Sequence, residues 1–199
     1  SLRSQRCPQV PVFHDLAFLR FPKDMSRWHW WHYNKYFPRY AQHAAHILTV
    51  SEFSRQDIHA QYGTPLDTIS TVGNGASGTF SPQPPEVRER IRAHYTDGNP
   101  YFLYVGAIQP RKNIVNLLRA FDRFKNETGL PHQLLLTGRK AWHTAAIESA
   151  YENMQHKADV RFSGYVSDED LAAIYASAEA LVYVSQFEVE PDRDPLLTP

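Results

Sequence analysis

The sequence predicts an α/β protein with parallel sheets, and two observations lead to this fold class. Short apolar segments alternate with segments of helical periodicity along most of the 199 residues. Several of the apolar segments are almost continuously hydrophobic, as in YFLYVG at 101–106. Such segments are typical of parallel strands that are covered by helices on both faces.

The first part of the chain contains three predicted strands, at 9–14, 47–50 and 68–72. Between them lie two predicted helices, at 24–46 and 51–63. Asp24 or Ser26 is expected to cap the first helix, and Pro38 is expected to kink or split it. Its predicted buried face is aromatic and consists of Trp30, Tyr33, Phe37 and Tyr40. Ser51 and Gly63 are the expected caps of the second helix.

A change of composition divides the chain. Residues 81–100 contain four prolines and a short helical segment near 85–95, which is typical of a linker. After this point strands and helices alternate again, with strands predicted at 101–106, 133–137, 159–162 and 180–184 and helices at 113–127, 143–156 and 167–177. We therefore predict a partial domain at 1–72, a linker at 73–99 and a second partial domain at 100–199.

The amino-acid composition argues against several classes of function. The 21 basic residues are balanced by 21 acidic ones, so nothing favours a nucleic-acid partner. The single cysteine, Cys7, indicates a reducing compartment. The sequence has no apolar run of membrane-spanning length, and its first residues do not resemble a signal peptide. These features predict a cytoplasmic protein.

Two cations stand at the start of a predicted helix. Arg111 and Lys112 follow the strand at 101–106 and precede a helix for which Asn113 is the expected N-cap. Ligands of parallel α/β sheets bind beyond the carboxyl ends of the strands, and a helix N-terminus attracts anions. A phosphate site is one interpretation, and two solvated loop charges are the other. Arg139 and Lys140 repeat the pattern after the next strand, with the same two interpretations.

Other site patterns are absent from the sequence. No strand is followed by a dinucleotide fingerprint, and there is no Walker A sequence. The histidine pairs at 29 and 32 and at 43 and 46 lack neighbouring Cys, Asp or Glu, so we expect no metal site there. Gly164 and Ser167 flank a loop after the third strand of the second part, where a flat base could contact main-chain groups.

Five segments taken in order resemble the family 4 retaining glycosyltransferases. These are VFHDLAFLRFP at 12–22, ILTVSEFSRQDI at 47–58, VGNGASGTFSP at 72–82, YFLYVGAIQPRKNIVNLLRAF at 101–121 and GYVSDEDLAAIYASAEALVYVSQFE at 164–188. The resemblance implies a GT-B fold with two Rossmann-like domains, both incomplete here. It also implies a nucleoside-diphosphate-sugar donor, a glycan or lipid-linked glycan acceptor, no cofactor and no metal.

The resemblance also implies roles for individual residues. Arg111 and Lys112 match the pair that binds the donor diphosphate, and His14 and Glu188 match residues near the transferred sugar. The nucleotide is expected at the loops that contain Gly106, Gly138, Tyr165 and Val166. The chain departs from the family after Glu188, where the expected glycines are absent and Leu196 stands where a second glutamate is expected to hold the ribose. Ala107 also stands where some relatives carry an arginine.

Three hypotheses follow from the sequence. The first is a glycosyltransferase that moves a sugar to a hydroxyl group, at the inner face of the membrane or free in the cytoplasm. The second is a degenerate relative that at most binds a nucleotide sugar, and the third is a nucleotide-sugar epimerase. Trp28, Trp30 and Trp31 indicate either a packed aromatic helix face or a surface for an acceptor or a membrane.

Overall fold

The computed structural model describes residues 7–75, 78–139 and 144–186. The chain forms two compact units, whose described parts lie on either side of residues 76 and 77. Each unit has its own sheet, and all strand pairs in both sheets are parallel. The predicted α/β class with parallel sheets is therefore confirmed.

The first unit is built on a three-stranded sheet with the order β1-β2-β3. The strands are β1 (Val12–Phe13), β2 (Ile47–Thr49) and β3 (Ile69–Thr71). β1 is shorter than the predicted strand at 9–14, because Pro11 has no N–H group for the ladder. Side chains from the sheet and the surrounding helices form one core, which contains Phe13, Leu16, Phe18, Ile47, Ile58 and Ile69.

Three α-helices surround this sheet: α1 (Ala17–Arg20), α2 (Arg27–His43) and α3 (Glu52–Tyr62). Ser26 caps α2 by accepting a hydrogen bond from the His29 N–H, which decides between the two predicted caps. Ser51 caps α3 in the same way, and Gly63 ends it in the left-handed conformation, as predicted. α2 continues through Pro38, so the predicted division of this helix is wrong. Phe37 and Tyr40, on either side of the proline, both pack against the core of the first unit.

The predicted aromatic face of α2 is only partly correct. Tyr33, Phe37 and Tyr40 pack against the core of the first unit. Trp30 is 40% exposed and is not part of that core. The buried face therefore does not extend to the first turn of α2, where periodicity alone placed Trp30.

The second unit has a four-stranded sheet with the order β6-β5-β4-β7. Its strands are β4 (Tyr101–Val105), β5 (Gln133–Thr137), β6 (Val160–Gly164) and β7 (Ala180–Leu181). β4, β5 and β6 follow one another outward, and β7 returns to the other side of β4. The order therefore reverses between β4 and β7, which makes this the topological switch point where α/β sheets bind ligands.

Helices cover both faces of this sheet: α4 (Pro85–Thr96), α5 (Ile114–Thr128), α6 (Ala145–Glu152) and α7 (Asp168–Ser177). Leu134 and Leu136 pack in the cluster that contains α5 and α6 side chains, whereas Leu135 packs in the cluster that contains α4 and α7 side chains. This alternation is the three-layer arrangement predicted from the continuously apolar strands. α6 ends before the predicted residue 156, because the N–H groups of Gln155 and His156 donate to Asp122.

The segment at 73–99, which we assigned to a linker, contains a helix of the second unit. α4 buries Ile91 together with Tyr101, Leu103 and other side chains of the sheet and α7. Val87 and Tyr95, four residues before and after Ile91, pack against the same cluster. The i, i+4, i+8 spacing of these three residues was the sequence signal for a packed helix.

Candidate functional site

The turn after β4 places the two predicted cations at the switch point. A short 3-10 helix, Pro110–Lys112, lies between β4 and α5. Asn113 follows with a left-handed backbone (φ 60°), and α5 begins at Ile114. Asn113 is the residue before the first turn of α5, as predicted, but its side chain makes no capping hydrogen bond. Instead its Nδ2 donates to the Val184 carbonyl at 3.1 Å, because the left-handed conformation turns the chain sharply here.

Lys112 is a buried cation in this turn. Its residue is 8% exposed, and its Nζ donates to the Tyr183 hydroxyl at 2.8 Å. The same ammonium lies 5.1 Å from the centroid of the Tyr183 ring. The interpretation as a solvated loop charge therefore does not fit Lys112, whose amine is directed toward the segment that follows β7.

The backbone of Arg111 holds that segment as well. Its carbonyl accepts hydrogen bonds from the Gln186 N–H at 3.0 Å and from the Ser185 Oγ at 3.2 Å. Together with the bonds from Lys112 and Asn113, these contacts join residues 183–186 to the turn after β4. They also explain why β7 is shorter than the predicted strand at 180–184: its continuation bonds to a turn rather than to a strand.

Three glycines stand at the carboxyl ends of β4, β5 and β6. Gly106, Gly138 and Gly164 all have positive φ angles, of 148°, 144° and 72°. The Gly106 N–H donates to Thr137, and the Gly138 N–H donates to Gly164. A Cβ atom on Gly138 would lie 2.0 Å from the Gly106 carbonyl oxygen, so no side chain fits there. The three strand ends are therefore joined through their backbones, and the cationic turn follows the first of them.

A cleft of about 540 Å³ adjoins this surface. Its lining comprises Ile108, Gly138, Arg139, Phe162, Ser163, Gly164 and Tyr165. The Arg139 guanidinium lies 5.8 Å from the centroid of the exposed Tyr165 ring. Val166 does not line the cleft, since its side chain packs against the core with Tyr101 and Ile174. Lys140, the partner of Arg139 in the sequence, lies outside the described residues.

His14 and Glu188 are the remaining predicted site residues. His14 lies in the first unit directly after β1, where it is exposed and its carbonyl accepts a hydrogen bond from Ser54 Oγ at 3.0 Å. Glu188 lies outside the described residues, two positions after Gln186. The described part of the chain has no group of three or more His, Cys, Asp or Glu side chains that could hold a metal ion. In the same part, no helix is long and apolar enough to cross a membrane.

Tyr183 was not identified from the sequence, and the contact of Asn113 with Val184 was not expected. Tyr183 belongs to a strongly apolar segment, so its hydroxyl gave no sign of a polar role. Its contact with Lys112 joins residues 71 positions apart, and only the strand order β4-β7 makes them neighbours. The available signal was the position of Tyr183 near the carboxyl end of the last predicted strand, at 180–184.

Two family models match the chain. The model described as "Glycosyl transferases group 1" matches residues 87–191, and "Glycosyltransferase Family 4" matches residues 1–77. The chain is 33% identical over 184 residues to the O-antigen chain mannosyltransferase B of Escherichia coli, covering 90% of this chain and 47% of the relative. It is 27% identical over 140 residues to the O-antigen chain mannosyltransferase RfbU of Salmonella typhimurium, covering 70% of this chain and 35% of the relative.

Solved structures support the same fold. HepE of Anabaena, in complex with UDP-glucose, matches with a TM-score of 0.73 at 16% identity, over 90% of this chain and 47% of that protein. WaaG, described as a glycosyltransferase of lipopolysaccharide biosynthesis, matches with a TM-score of 0.71 at 17% identity, over 91% and 52%. The chain thus spans about half the length of these proteins.

One family model matches the second unit and the other matches the first. Each unit contains its own parallel sheet, as an α/β domain should. The chain has the α/β architecture of the GT-B glycosyltransferases and belongs to the glycosyl transferases group 1 family.

Proposed function

We propose that the second unit carries the donor site of a retaining glycosyltransferase that uses a nucleoside-diphosphate sugar. The observation that carries this proposal is the buried Lys112 in the turn at the switch point. The Lys112 ammonium donates a hydrogen bond to the Tyr183 hydroxyl in this turn. Arg111 is beside it, and the N-terminus of the fifteen-residue helix α5 starts two residues after Lys112.

This arrangement suits the chemistry of sugar transfer. When the bond between the anomeric carbon and the phosphate oxygen breaks, negative charge grows on the distal phosphate. Lys112, Arg111 and the N–H groups of α5 would oppose that charge, and preorganised donors of this kind lower a barrier by several kcal/mol. We therefore propose that transfer needs no metal and no cofactor.

The glycines and the cleft suit the rest of the donor. The diphosphate would lie at the ends of β4 and β5, which the close contact of Gly138 with the Gly106 carbonyl oxygen holds together. The nucleoside would then lie in the cleft beside Gly138, Arg139 and Tyr165. Val166 would act there through its main chain, since its side chain is part of the core.

The sugar and the acceptor are assigned from family membership. We propose that His14 and Glu188 contact the transferred sugar, as the resemblance implies. Mannose is the first sugar to test, because the relatives from Escherichia coli and Salmonella are named mannosyltransferases. Their names also favour an O-antigen chain as acceptor. As the resemblance implies, we propose a glycan or lipid-linked glycan acceptor and transfer on the cytoplasmic side.

The proposal is tested by donor binding and turnover with the 199-residue chain. Nucleoside diphosphates with different bases are titrated calorimetrically, and mannosyl donors are assayed for diphosphate release and for the anomeric configuration of the product. We expect diphosphate binding, a product that retains the donor's configuration, and unchanged rates in excess EDTA. Inversion or loss of activity in EDTA would contradict the proposed mechanism, and absence of diphosphate binding would contradict the site.

A second candidate is a relative that binds the donor without turnover. It is favoured by Leu196, which occupies the position where the family resemblance places a second glutamate for the ribose. Binding without diphosphate release would support this candidate. In that case Leu196→Glu is the variant to assay, because restoring the carboxylate should tighten donor binding if the alignment is correct.

A further inference from the structure

The outward face of α2 carries a combination of side chains that the donor site does not use. We infer that this face docks on an anionic lipid bilayer. The face consists of Trp28, Trp31, His32, Lys35 and Arg39, which follow one another at spacings of one to four residues. This inference does not depend on the proposed donor site, which lies in the other unit.

The tryptophans of this face are exposed even though the helix is anchored in a core. Trp28 is 63% exposed and Trp31 is 48% exposed. The opposite side of α2 packs on the core of the first unit through Tyr33, Phe37 and other side chains. The interpretation of Trp28, Trp30 and Trp31 as a packed aromatic helix face is therefore wrong, because other residues form the packed side of α2. Large exposed aromatic side chains beside one another mark an interaction surface.

Cations are placed among these rings. The Lys35 ammonium lies 4.4 Å from the centroid of the Trp31 ring and 5.6 Å from that of Tyr36. The Arg39 guanidinium lies 5.8 Å from the Tyr36 centroid. The His32 ring stacks on Trp28 with centroids 5.3 Å apart. The rings and the charges thus form one continuous surface rather than separate patches.

The basic residues of α2 are not balanced by acidic ones. Its seventeen residues, RWHWWHYNKYFPRYAQH, include three Arg or Lys residues and no acid. The whole chain is formally neutral, with 21 basic and 21 acidic residues. α4 is a useful contrast, because its sequence PEVRERIRAHYT mixes arginines with glutamates. Attraction to an anionic surface would therefore come from α2 and not from the net charge of the protein.

These properties fit a bilayer surface better than a sugar. Tryptophan prefers the membrane–water interface, where its ring is in an apolar layer and its N–H is hydrated. Lys and Arg beside it attract anionic headgroups. A neutral glycan could stack on Trp28 and Trp31 but would offer no charge to Lys35 and Arg39. Because the inward side of α2 is fixed in the core, the contact would be shallow and sensitive to salt.

The experiment measures co-sedimentation of the 199-residue chain with lipid vesicles. One set of vesicles is phosphatidylcholine alone, and the other contains equal parts of phosphatidylcholine and phosphatidylglycerol. We expect binding to the anionic vesicles, weak binding to the neutral ones, and release at high salt. Equal binding to both sets, or binding to neither, would overturn the inference.

Two pairs of substitutions identify the face. Lys35→Gln with Arg39→Gln should weaken partitioning about 25-fold, because each cation near an anionic surface contributes about fivefold. The matched control is Arg88→Gln with Arg90→Gln in α4, which removes the same charge from exposed positions and should leave binding unchanged. If both pairs weaken binding equally, the attraction is non-specific and the inference fails.

A last pair of substitutions distinguishes lipid binding from glycan binding. Trp28→Ser with Trp31→Ser should also weaken vesicle binding, and vesicles should shift the tryptophan emission of the unmodified chain to shorter wavelength. Circular dichroism melts check that all variants fold, which is expected because the substituted side chains are exposed. If a soluble polysaccharide binds this face and vesicles do not, the surface is an acceptor site and the membrane inference is wrong.

Discussion

The sequence Arg-Lys occurs after both β4 and β5, but Lys112 and Arg139 differ in burial and in their neighbours. After β4, Lys112 is buried and bonded to Tyr183. After β5, Arg139 is exposed, with Tyr165 as the ring beside it. The difference arises from strand order, because β4 borders β7 at the switch point whereas β5 lies between β4 and β6. A pair of cations in a sequence therefore has no fixed meaning until its neighbours in the sheet are known.

The largest expected effect tests whether the two strand ends form one surface. Gly138→Ala places a Cβ against the Gly106 carbonyl oxygen, 2.0 Å away, at a φ of 144°. The backbones of β4 and β5 would have to separate, so we expect the free energy of unfolding to fall by at least about 3 kcal/mol. Urea denaturation followed by circular dichroism measures it.

Gly129→Ala is the matched control for this prediction. Gly129 also has a positive φ, of 63°, but a Cβ there meets no atom within 4 Å. Its replacement should cost about 1–2 kcal/mol, which is the strain of the left-handed conformation alone. Equal losses for the two variants would show that the contact between the β4 and β5 ends is not tight.

The second prediction concerns Lys112 and donor affinity. Lys112→Met keeps most of the buried aliphatic stem but removes the charge, so the variant should fold. Loss of a charge-assisted hydrogen bond to phosphate costs about 1.5–3 kcal/mol. Nucleoside-diphosphate affinity, measured by calorimetry, should therefore fall by roughly tenfold to more than a hundredfold.

Arg119→Gln is the control for Lys112→Met, since Arg119 is an exposed cation on α5 away from the turn. It should leave the affinity unchanged. An affinity for Lys112→Met equal to that of the unmodified chain would mean that the buried amine serves the fold and not the donor.

The third prediction tests the hydrogen bond between Lys112 and Tyr183, which is found at the β4 end. Tyr183→Phe removes the hydroxyl that accepts the hydrogen bond from Lys112, while the ring can stay beside Tyr104. Without this partner the ammonium is less well oriented, and affinity should fall by about 0.5–1.5 kcal/mol, or roughly two- to tenfold. In the Lys112→Met background the same substitution should have no effect on affinity. Independent, additive effects in this double-mutant cycle would show that Tyr183 does not act through Lys112.

Local chemistry explains which parts of the fold could be predicted. Ser51 and Gly63 define the two ends of α3 through contacts within four residues, and both were found from the sequence. Trp30 and Pro38 were misjudged because packing, not periodicity, decides what is buried and whether a helix continues. The length of β7 depends on a turn about 70 residues earlier, which no local pattern contains.

The candidate site also has features that the sequence predicted and features that it could not predict. Arg111 and Lys112 could be placed at a strand end from the sequence, because a strand followed by a helix fixes where the loop lies. The burial of Lys112 could not be predicted from the sequence, because it requires β7 to lie beside β4. Asn113 looked like a helix cap but adopts the left-handed conformation, and its amide bonds to a distant segment.

The smallest expected effect completes the comparison at the β5 end. Arg139→Gln removes an exposed charge that lies 5.8 Å from the Tyr165 ring. Exposed charges contribute about 0–1 kcal/mol, so nucleoside-diphosphate affinity should fall by no more than about fivefold. The free energy of unfolding should change by less than about 0.5 kcal/mol. The measurements are the same titration and denaturation as for Lys112→Met, at the same ionic strength, since exposed charges are screened by salt. If Arg139→Gln costs as much affinity as Lys112→Met, then both strand ends hold the diphosphate, and burial at the switch point is not what distinguishes them.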